Sequence, residues 1–308
     1  MKAIIFPGQG SQKAGMASEF LSNFKIVKEI FQKADESLKF SLSKIILNGS
    51  DEELKKTEIT QPAILTTSFA IFSVLKKEFN FDLSQIKYIA GHSLGEYSAL
   101  VASGSLSLED GVKLVNERGK LMQTAVPEGK GAMLAVIGLD VKELNILIKK
   151  FDADKGICEI ANDNSPGQII LSGTKEILVA FSNELKSAKK RSMFLPVSAP
   201  FHCSLMKPAA ESMKLLLQKI NFKNPNLQLI SNVTATPVEK DDDIKDLLYK
   251  QIFSQVRWRE TVEYMIKNNI NDFIEIGPGK VLSGLVKRTN DKVLTRSLNK
   301  IDDIKNLQ

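Results

Sequence analysis

The pentapeptide Gly91-His92-Ser93-Leu94-Gly95 constrains this chain more than any other stretch. It follows a short apolar run, 86–90, and precedes a helix-like run that opens at Leu94. A G-x-S-x-G between strand and helix places its serine on a sharp turn, with the hydroxyl exposed and the next backbone N–H groups aimed at an oxyanion. The alternative is an ordinary strand-to-helix turn. The context favours the nucleophile, so Ser93 is expected to carry an acyl group. The pattern alone does not say what accepts that group.

A serine needs a base to act at neutral pH, and the chain holds two histidines, His92 and His202. Neighbouring side chains on a strand point to opposite faces. His92 is therefore expected to turn away from the Ser93 hydroxyl and to pack as a hydrogen-bonded histidine. His202, in "VSAPFHCSLMKP", lies after Pro200 on a loop that can face a cleft. It is the expected base, with a surface or capping histidine as the alternative. Arg118, in "VKLVNERGKLMQ", falls at helical spacing with Leu114 and Leu121 and with Val115 and Met122. Its side chain projects from or beside the apolar stripe. A guanidinium cannot shed its charge, and burying it unpaired is costly. Its partner is an internal Asp or Glu, water reached by snorkelling, or a substrate carboxylate held bidentately. Helix geometry leaves these open; the last would make the acyl group a dicarboxylic half-acid.

The rest of the chain reads as α/β. Residues 2–6 form a short buried strand followed by the turn Pro7-Gly8-Gln9-Gly10. Pro62 is placed near the start of a long helix whose apolar face is Ile64, Leu65, Phe69, Phe72 and Leu75. Ser107 and Asp110 look like a helix start, with Val112, Val115 and Met122 on its buried face. After Pro127-Glu128-Gly129 comes a self-contained order: strand 132–137, helix 141–151, strands 157–161 and 168–171, helix 175–188, strand 192–197. This βαββαβ order is the ferredoxin-like split pattern. The expected architecture is a large α/β-hydrolase-like domain, residues 1–125 plus 199–308, with an inserted small ferredoxin-like domain, 126–198. A chain of 308 residues suits that division.

Several function classes are disfavoured. Gly8-x-Gly10 lacks the third glycine of a dinucleotide loop, since Lys13 stands there, and no Walker motif occurs. Cys158 and Cys203 form no metal or disulfide pattern and read as reduced core residues. No apolar run nears the ~18 residues of a membrane span, and 3–6 is too short for a signal peptide. A free-standing cytoplasmic protein, acting as a monomer, is expected. The formal charge of +6 suits an acidic partner, although the lysines are dispersed as in a compositionally biased chain. No nucleic-acid motif appears.

At whole-chain scale the sequence resembles the malonyl-CoA:acyl carrier protein transacylases of dissociated fatty acid biosynthesis. The motifs run in order nearly end to end: "IIFPGQGSQKAGM", "TQPAI", "GHSLGEYSAL", "NERGKLMQ", "NDNSPGQ", "FHCSLMKPA", "VRWRETVEYM" and "EIGPGKVLSGL". The resemblance implies Ser93 as nucleophile, His202 as base and Arg118 as clamp for the malonyl carboxylate. It implies Gln9 and Leu94 as backbone oxyanion donors, and Gln251 as the residue whose main-chain carbonyl orients the histidine. Gln61 resembles a polar pocket residue, with helix-start packing as its alternative. Phe201 resembles the pattern of acyltransferases that prefer malonyl groups. The family uses a Ser-His dyad, so no third acid is nominated, and Asp163 is given no role.

The implied substrates are malonyl-CoA and the phosphopantetheine thiol of an acidic acyl carrier protein, with no metal or other cofactor. Lys190-Arg191 and Lys287-Arg288 are candidate docking charges, with solvated surface charge as the alternative. Competing readings are a serine hydrolase or thioesterase, a catalytically silent carrier-binding scaffold, and an acyltransferase domain of a polyketide synthase. A patatin-like lipase would need a base from Asp110-Gly111, which opens a helix instead.

Overall fold

Strand β1 (Lys2–Phe6) is apolar on both faces, and that property organises the larger sheet. Ala3 and Ile5 point into one apolar core while Ile4 and Phe6 point into another. A strand buried on both sides belongs in a parallel sheet covered by helices on each face. The computed structural model, which describes residues 1–151, 156–197 and 199–307, has that arrangement. The remaining strands are β2 (Ile86–Gly91), β3 (Gly131–Ile137), β4 (Cys158–Ser165), β5 (Gln168–Thr174), β6 (Arg191–Phe194), β7 (Gln228–Ile230), β8 (Asp272–Ile276) and β9 (Leu294–Leu298). The larger sheet runs β7-β2-β1-β8-β9, with each pair parallel.

The smaller sheet runs β4-β5-β3-β6 and is antiparallel. Helices Val141–Lys150 and Lys175–Ser187 cover one face, around Leu134, Val136, Leu144, Leu171, Leu178 and Phe181. The opposite face is not free. Met133, Ala135, Ala161 and Ile170 enter the main core, so the inserted unit has one core of its own and shares another. Ser198, the last residue of the expected insertion, and 152–155 within it lie outside the described residues. The β4–β5 hairpin is longer than 157–161 and 168–171 suggested, because Gly167, at φ 70°, closes a tight turn directly between the strands. The expected strand 192–197 stops at Phe194; Pro196 has no N–H to extend the ladder.

The central helix, Thr57–Lys77, corrects two expectations. Pro62 is its sixth residue, well inside it, and burial extends almost all the way round rather than along one face; Phe69 is only half-buried. By length and composition this helix is apolar enough to cross a membrane, but most of it is buried inside the fold. Pro62 cannot donate to the Glu58 carbonyl. Asn116 takes that place, its Nδ2 donating to Glu58 O at 2.7 Å. Asn116 lies on helix Leu108–Thr124, which begins as expected with Ser107 Oγ capping the Asp110 N–H at 3.0 Å. The two helices approach closely at Gly119, where an added Cβ would lie 2.6 Å from Glu58 Cα.

That close crossing brings Arg118 to Gln61. Gly119→Ala should part the helices and destabilise the protein by about 1–3 kcal/mol from overpacking, against a helix-propensity gain of about 1 kcal/mol. The urea midpoint measures the balance; an unchanged or raised midpoint would show that the crossing tolerates a methyl group.

Candidate active site

Ser93 sits between the end of β2 and the helix Leu94–Ala102 with φ 53° and ψ −111°. A non-glycine residue held there is strained, and the surroundings must hold it. Asn232, just beyond β7, does so from both sides. Its Oδ1 accepts the Ser93 N–H at 2.7 Å and its Nδ2 donates to Gly91 O at 2.7 Å. Gln251 Nε2 donates to Ser93 O at 3.0 Å. The turn is tight enough that a Cβ on Gly91 would come within 1.9 Å of the Gly95 carbonyl. The glycines of the motif are thus a steric requirement.

His202 reaches the serine from a buried loop that is itself at φ 61°. Ser93 Oγ and His202 Nε2 are 2.8 Å apart, and His202 Nδ1 lies 2.8 Å from Gln251 O. A carbonyl can only accept, so Nδ1 carries the proton and Nε2 is left to accept from the Ser93 hydroxyl. Burial, reinforced by the positive charge of Arg118, lowers the His202 pKa to about 3. The imidazole is therefore neutral at ordinary pH. His92 turns away, as strand alternation requires. Its Nε2 pairs with Asn164 Oδ1 at 2.8 Å and its ring meets Trp258 edge-on at 5.6 Å.

Arg118 is 1% exposed, so snorkelling does not occur, and no carboxylate among the described residues touches it. Its guanidinium donates to three uncharged oxygens: Gln61 Oε1 at 2.7 Å, Gln251 Oε1 at 2.9 Å and Ser93 Oγ at 3.1 Å. The Tyr97 ring lies 5.5 Å from the guanidinium carbon. Burial lowers its pKa, yet a guanidinium remains cationic. The result is a buried positive charge beside the Ser93 hydroxyl, solvated by two amides.

Leu94 opens its helix, so its N–H belongs to the first turn, which has no intrahelical acceptor. The Gln9 N–H has no acceptor among the described residues. His92 N–H donates to Phe6 O at 3.0 Å, which brings the end of β1 alongside the serine turn. Phe201 packs into the main core. Among the described residues, no three His, Cys, Asp or Glu side chains gather as metal ligands.

Residues 3–305 match the acyl transferase domain family. The malonyl CoA-acyl carrier protein transacylase of Bacillus subtilis is 45% identical over 296 residues, covering 95% of this chain and 92% of the relative. The chain belongs to the malonyl-CoA:acyl carrier protein transacylase family. The Escherichia coli K12 transacylase is 43% identical over 96% of this chain and 95% of its own length. The Clostridium perfringens transacylase crystal structure superposes with a TM-score of 0.94 at 42% identity, covering 99% of this chain and 95% of that one. A malonyl-transacylase solved in complex with a type II PKS acyl-carrier protein gives 0.95 at 39% identity, covering 99% and 98%.

Within this transacylase fold, four polar residues that the sequence reading passed over support the site. Glu96 is buried and accepts from Gln251 Nε2 at 2.7 Å and Asn232 N–H at 3.1 Å. Asn232 braces the serine turn. Glu159 on β4 accepts from Ser204 N–H at 2.8 Å and Ser204 Oγ at 2.6 Å, tying the His202 loop to the inserted unit. Asn164 holds His92. Glu96 carried one signal, a lone acid in the mostly apolar "LGEYSALVA", and Asn164 lies within the "NDNSPGQ" motif; Asn232 and Glu159 had none. Asp163 pairs with Arg259 at 2.8 Å, which fastens β4 to helix Trp258–Lys267.

The candidate docking cations sit in two places. Lys190 and Arg191 are exposed and line one open pocket with Lys186. Lys287 Nζ is engaged by Asp291 O at 3.1 Å and Val293 O at 2.6 Å, and Arg288 bonds Gln168 of the inserted unit.

With two histidines in the chain, the His202 ring can be watched directly. Its imidazole 15N shifts should stay at neutral-ring values between about pH 5 and 8, the range in which an ordinary histidine titrates. An inflection near 6.5 would mean the ring is hydrated and is not held neutral by burial.

Proposed function

We propose that this protein transfers the malonyl group of malonyl-CoA to the phosphopantetheine thiol of acyl carrier protein through a malonyl-Ser93 intermediate, supplying malonyl-ACP for fatty acid biosynthesis. The observation that carries the reading is the cation beside the nucleophile: Arg118 donates to Ser93 Oγ at 3.1 Å and has no directly bonded carboxylate among the described residues. A short acyl group on Ser93 that brings its own carboxylate would supply that partner with charge-assisted hydrogen bonds. A simple acyl group would leave the cation as it is.

His202 accepts the Ser93 proton as Oγ attacks the thioester. The Gln9 and Leu94 N–H groups receive the oxyanion, a donor of this kind being worth about 3 kcal/mol. CoA leaves as the thiol with the proton from His202. The carrier thiol then enters, His202 deprotonates it, and the acyl group returns to a thioester. The Gln251 carbonyl holds the ring in the required tautomer. Gln61 and Gln251 keep the guanidinium in place, and Phe201 beside His202 belongs to the malonyl-preferring pattern. The chemistry drawn here employs no metal or redox cofactor.

We also assign the larger sheet and its helices, 1–125 plus 199–308, as an α/β-hydrolase-like domain and 126–198 as a ferredoxin-like insertion. The strand order β4-β5-β3-β6 supports the second assignment. A cytoplasmic monomer meeting an acidic carrier at Lys190, Arg191, Lys287 and Arg288 completes the reading. The carrier complex of a related malonyl-transacylase supports the partner class.

Intact mass tests the reaction. Mixing with malonyl-CoA should give a stable malonyl adduct that holo-carrier discharges; release as free malonate without carrier would identify a hydrolase, and no adduct a scaffold. Arg118→Ala should lower malonyl transfer by roughly 100-fold or more, corresponding to about 3 kcal/mol for a truncated buried charge pair, while acetyl transfer gains relative to it. Equal losses for both substrates would make Arg118 structural. Charge reversal at Lys190 and Arg191 should raise the carrier KM several-fold at low salt and less at high salt; an unchanged KM would remove this docking site.

A further inference from the structure

Arg118 and Glu96 are the buried cation and the buried acid of the site, and one amide joins them. Gln251 Oε1 accepts from Arg118 Nη2 at 2.9 Å, and Gln251 Nε2 donates to Glu96 Oε2 at 2.7 Å. The same Glu96 oxygen accepts the Asn232 N–H at 3.1 Å. Both are 1% exposed. The resting site is thus near electrical balance, with the two charges held apart by a shared neutral side chain. Entry of a carboxylate beside Arg118 brings a second negative charge into the same buried volume, where like charges raise each other's proton affinity.

We propose that Glu96 is a positioning residue and the internal counter-charge of Arg118, and that it takes up a proton from solvent when a substrate carboxylate reaches Arg118. This rests on the transacylase reading above. Malonylation would then be coupled to protonation of Glu96, and transfer to the carrier to its deprotonation. Burial already holds the Glu96 pKa at about 7, opposed by hydrogen bonds from Gln251 and Asn232 and by the charge of Arg118. Neutralising Arg118 removes part of that opposition, so the value rises on acylation. The charged or titratable groups facing Glu96 are Arg118 from helix Leu108–Thr124 and Tyr97 on its own helix. Tyr97 is pushed up to about 12 by burial and stays neutral. Gln251, Asn232 and Ser231 complete the surroundings and do not titrate.

The proton balance isolates the effect. In acylation the Ser93 proton leaves on the CoA thiol, which remains mostly protonated at neutral pH with a pKa of about 8.5. No other net proton change is drawn in the step. The test mixes the enzyme with stoichiometric malonyl-CoA in weak buffer with an indicator dye, and follows intact mass on the same samples. Wild type should take up a substantial fraction of one proton per malonyl-enzyme at about pH 7, and close to none at about pH 5.5, where Glu96 is already protonated in the resting state. Glu96→Gln keeps an acceptor oxygen for Gln251 and Asn232 and should abolish the uptake. A purely structural Glu96 would leave the balance unchanged. Adduct formation without uptake in wild type, or with equal uptake in Glu96→Gln, overturns this inference alone. Absence of any malonyl adduct overturns the transacylase reading and this one with it. Adduct formation without uptake in wild type overturns the inference even if the variant does not fold.

Discussion

Everything at this site depends on keeping one guanidinium out of water without giving it a carboxylate. Such a burial needs oriented dipoles in place of water; here they answer both terminal nitrogens, while Nε has no partner among the described residues. Gln61, Gln251 and the Ser93 hydroxyl provide those dipoles. Their positions follow from the helix crossing at Gly119 and from the repair of the Pro62 interruption by Asn116. A cation so held touches no internal acid directly, Glu96 being one amide away, and is not exposed enough to be solvated. It is available to a carboxylate that arrives with the acyl group.

The same field acts on His202. Arg118 and burial together keep His202 neutral, while the Gln251 carbonyl selects the tautomer. Gln251 therefore serves four partners: its backbone orients the histidine, its Oε1 solvates the arginine, and its Nε2 links Ser93 O with Glu96. The inserted unit supports this arrangement from the other side. Glu159 holds the His202 loop, Asn164 turns His92 away, and the Asp163–Arg259 pair fixes β4 against the larger domain. Because the small sheet shares its second face with the main core, that support is rigidly joined to the catalytic sheet.

Much of this was legible beforehand, and for identifiable reasons. Period-two alternation turned His92 away from Ser93, and 3.6-residue periodicity put Arg118 on a buried face. The apolar character of residues 2–6 announced a strand covered on both sides. Local rules failed where a distant segment supplied the missing group. Proline cannot donate, which places Pro62 near a helix start; that Asn116 satisfies the stranded Glu58 carbonyl depends on a helix far along the chain. The central helix was read as amphipathic, yet helices and sheet surround it almost completely. The partner of Arg118 could not be chosen among acid, water and substrate, since the answer lay with two glutamines far along the chain.

The sequence by itself determined the sharp serine turn, the βαββαβ order of elements, His202 as the candidate base and an Arg118 on or beside an apolar stripe. Each follows from periodicity, from turn sterics or from a shortage of alternatives, and the ordered motifs added the family. Only the tertiary structure decided the electrostatic state of the site. Glu96, Asn232, Gln251 and Glu159 gain their roles through hydrogen bonds, most of them to segments 45 or more residues away. Protonation and charge balance depend on what is buried beside what, and that is a property of the packed chain, which spacing along it does not encode.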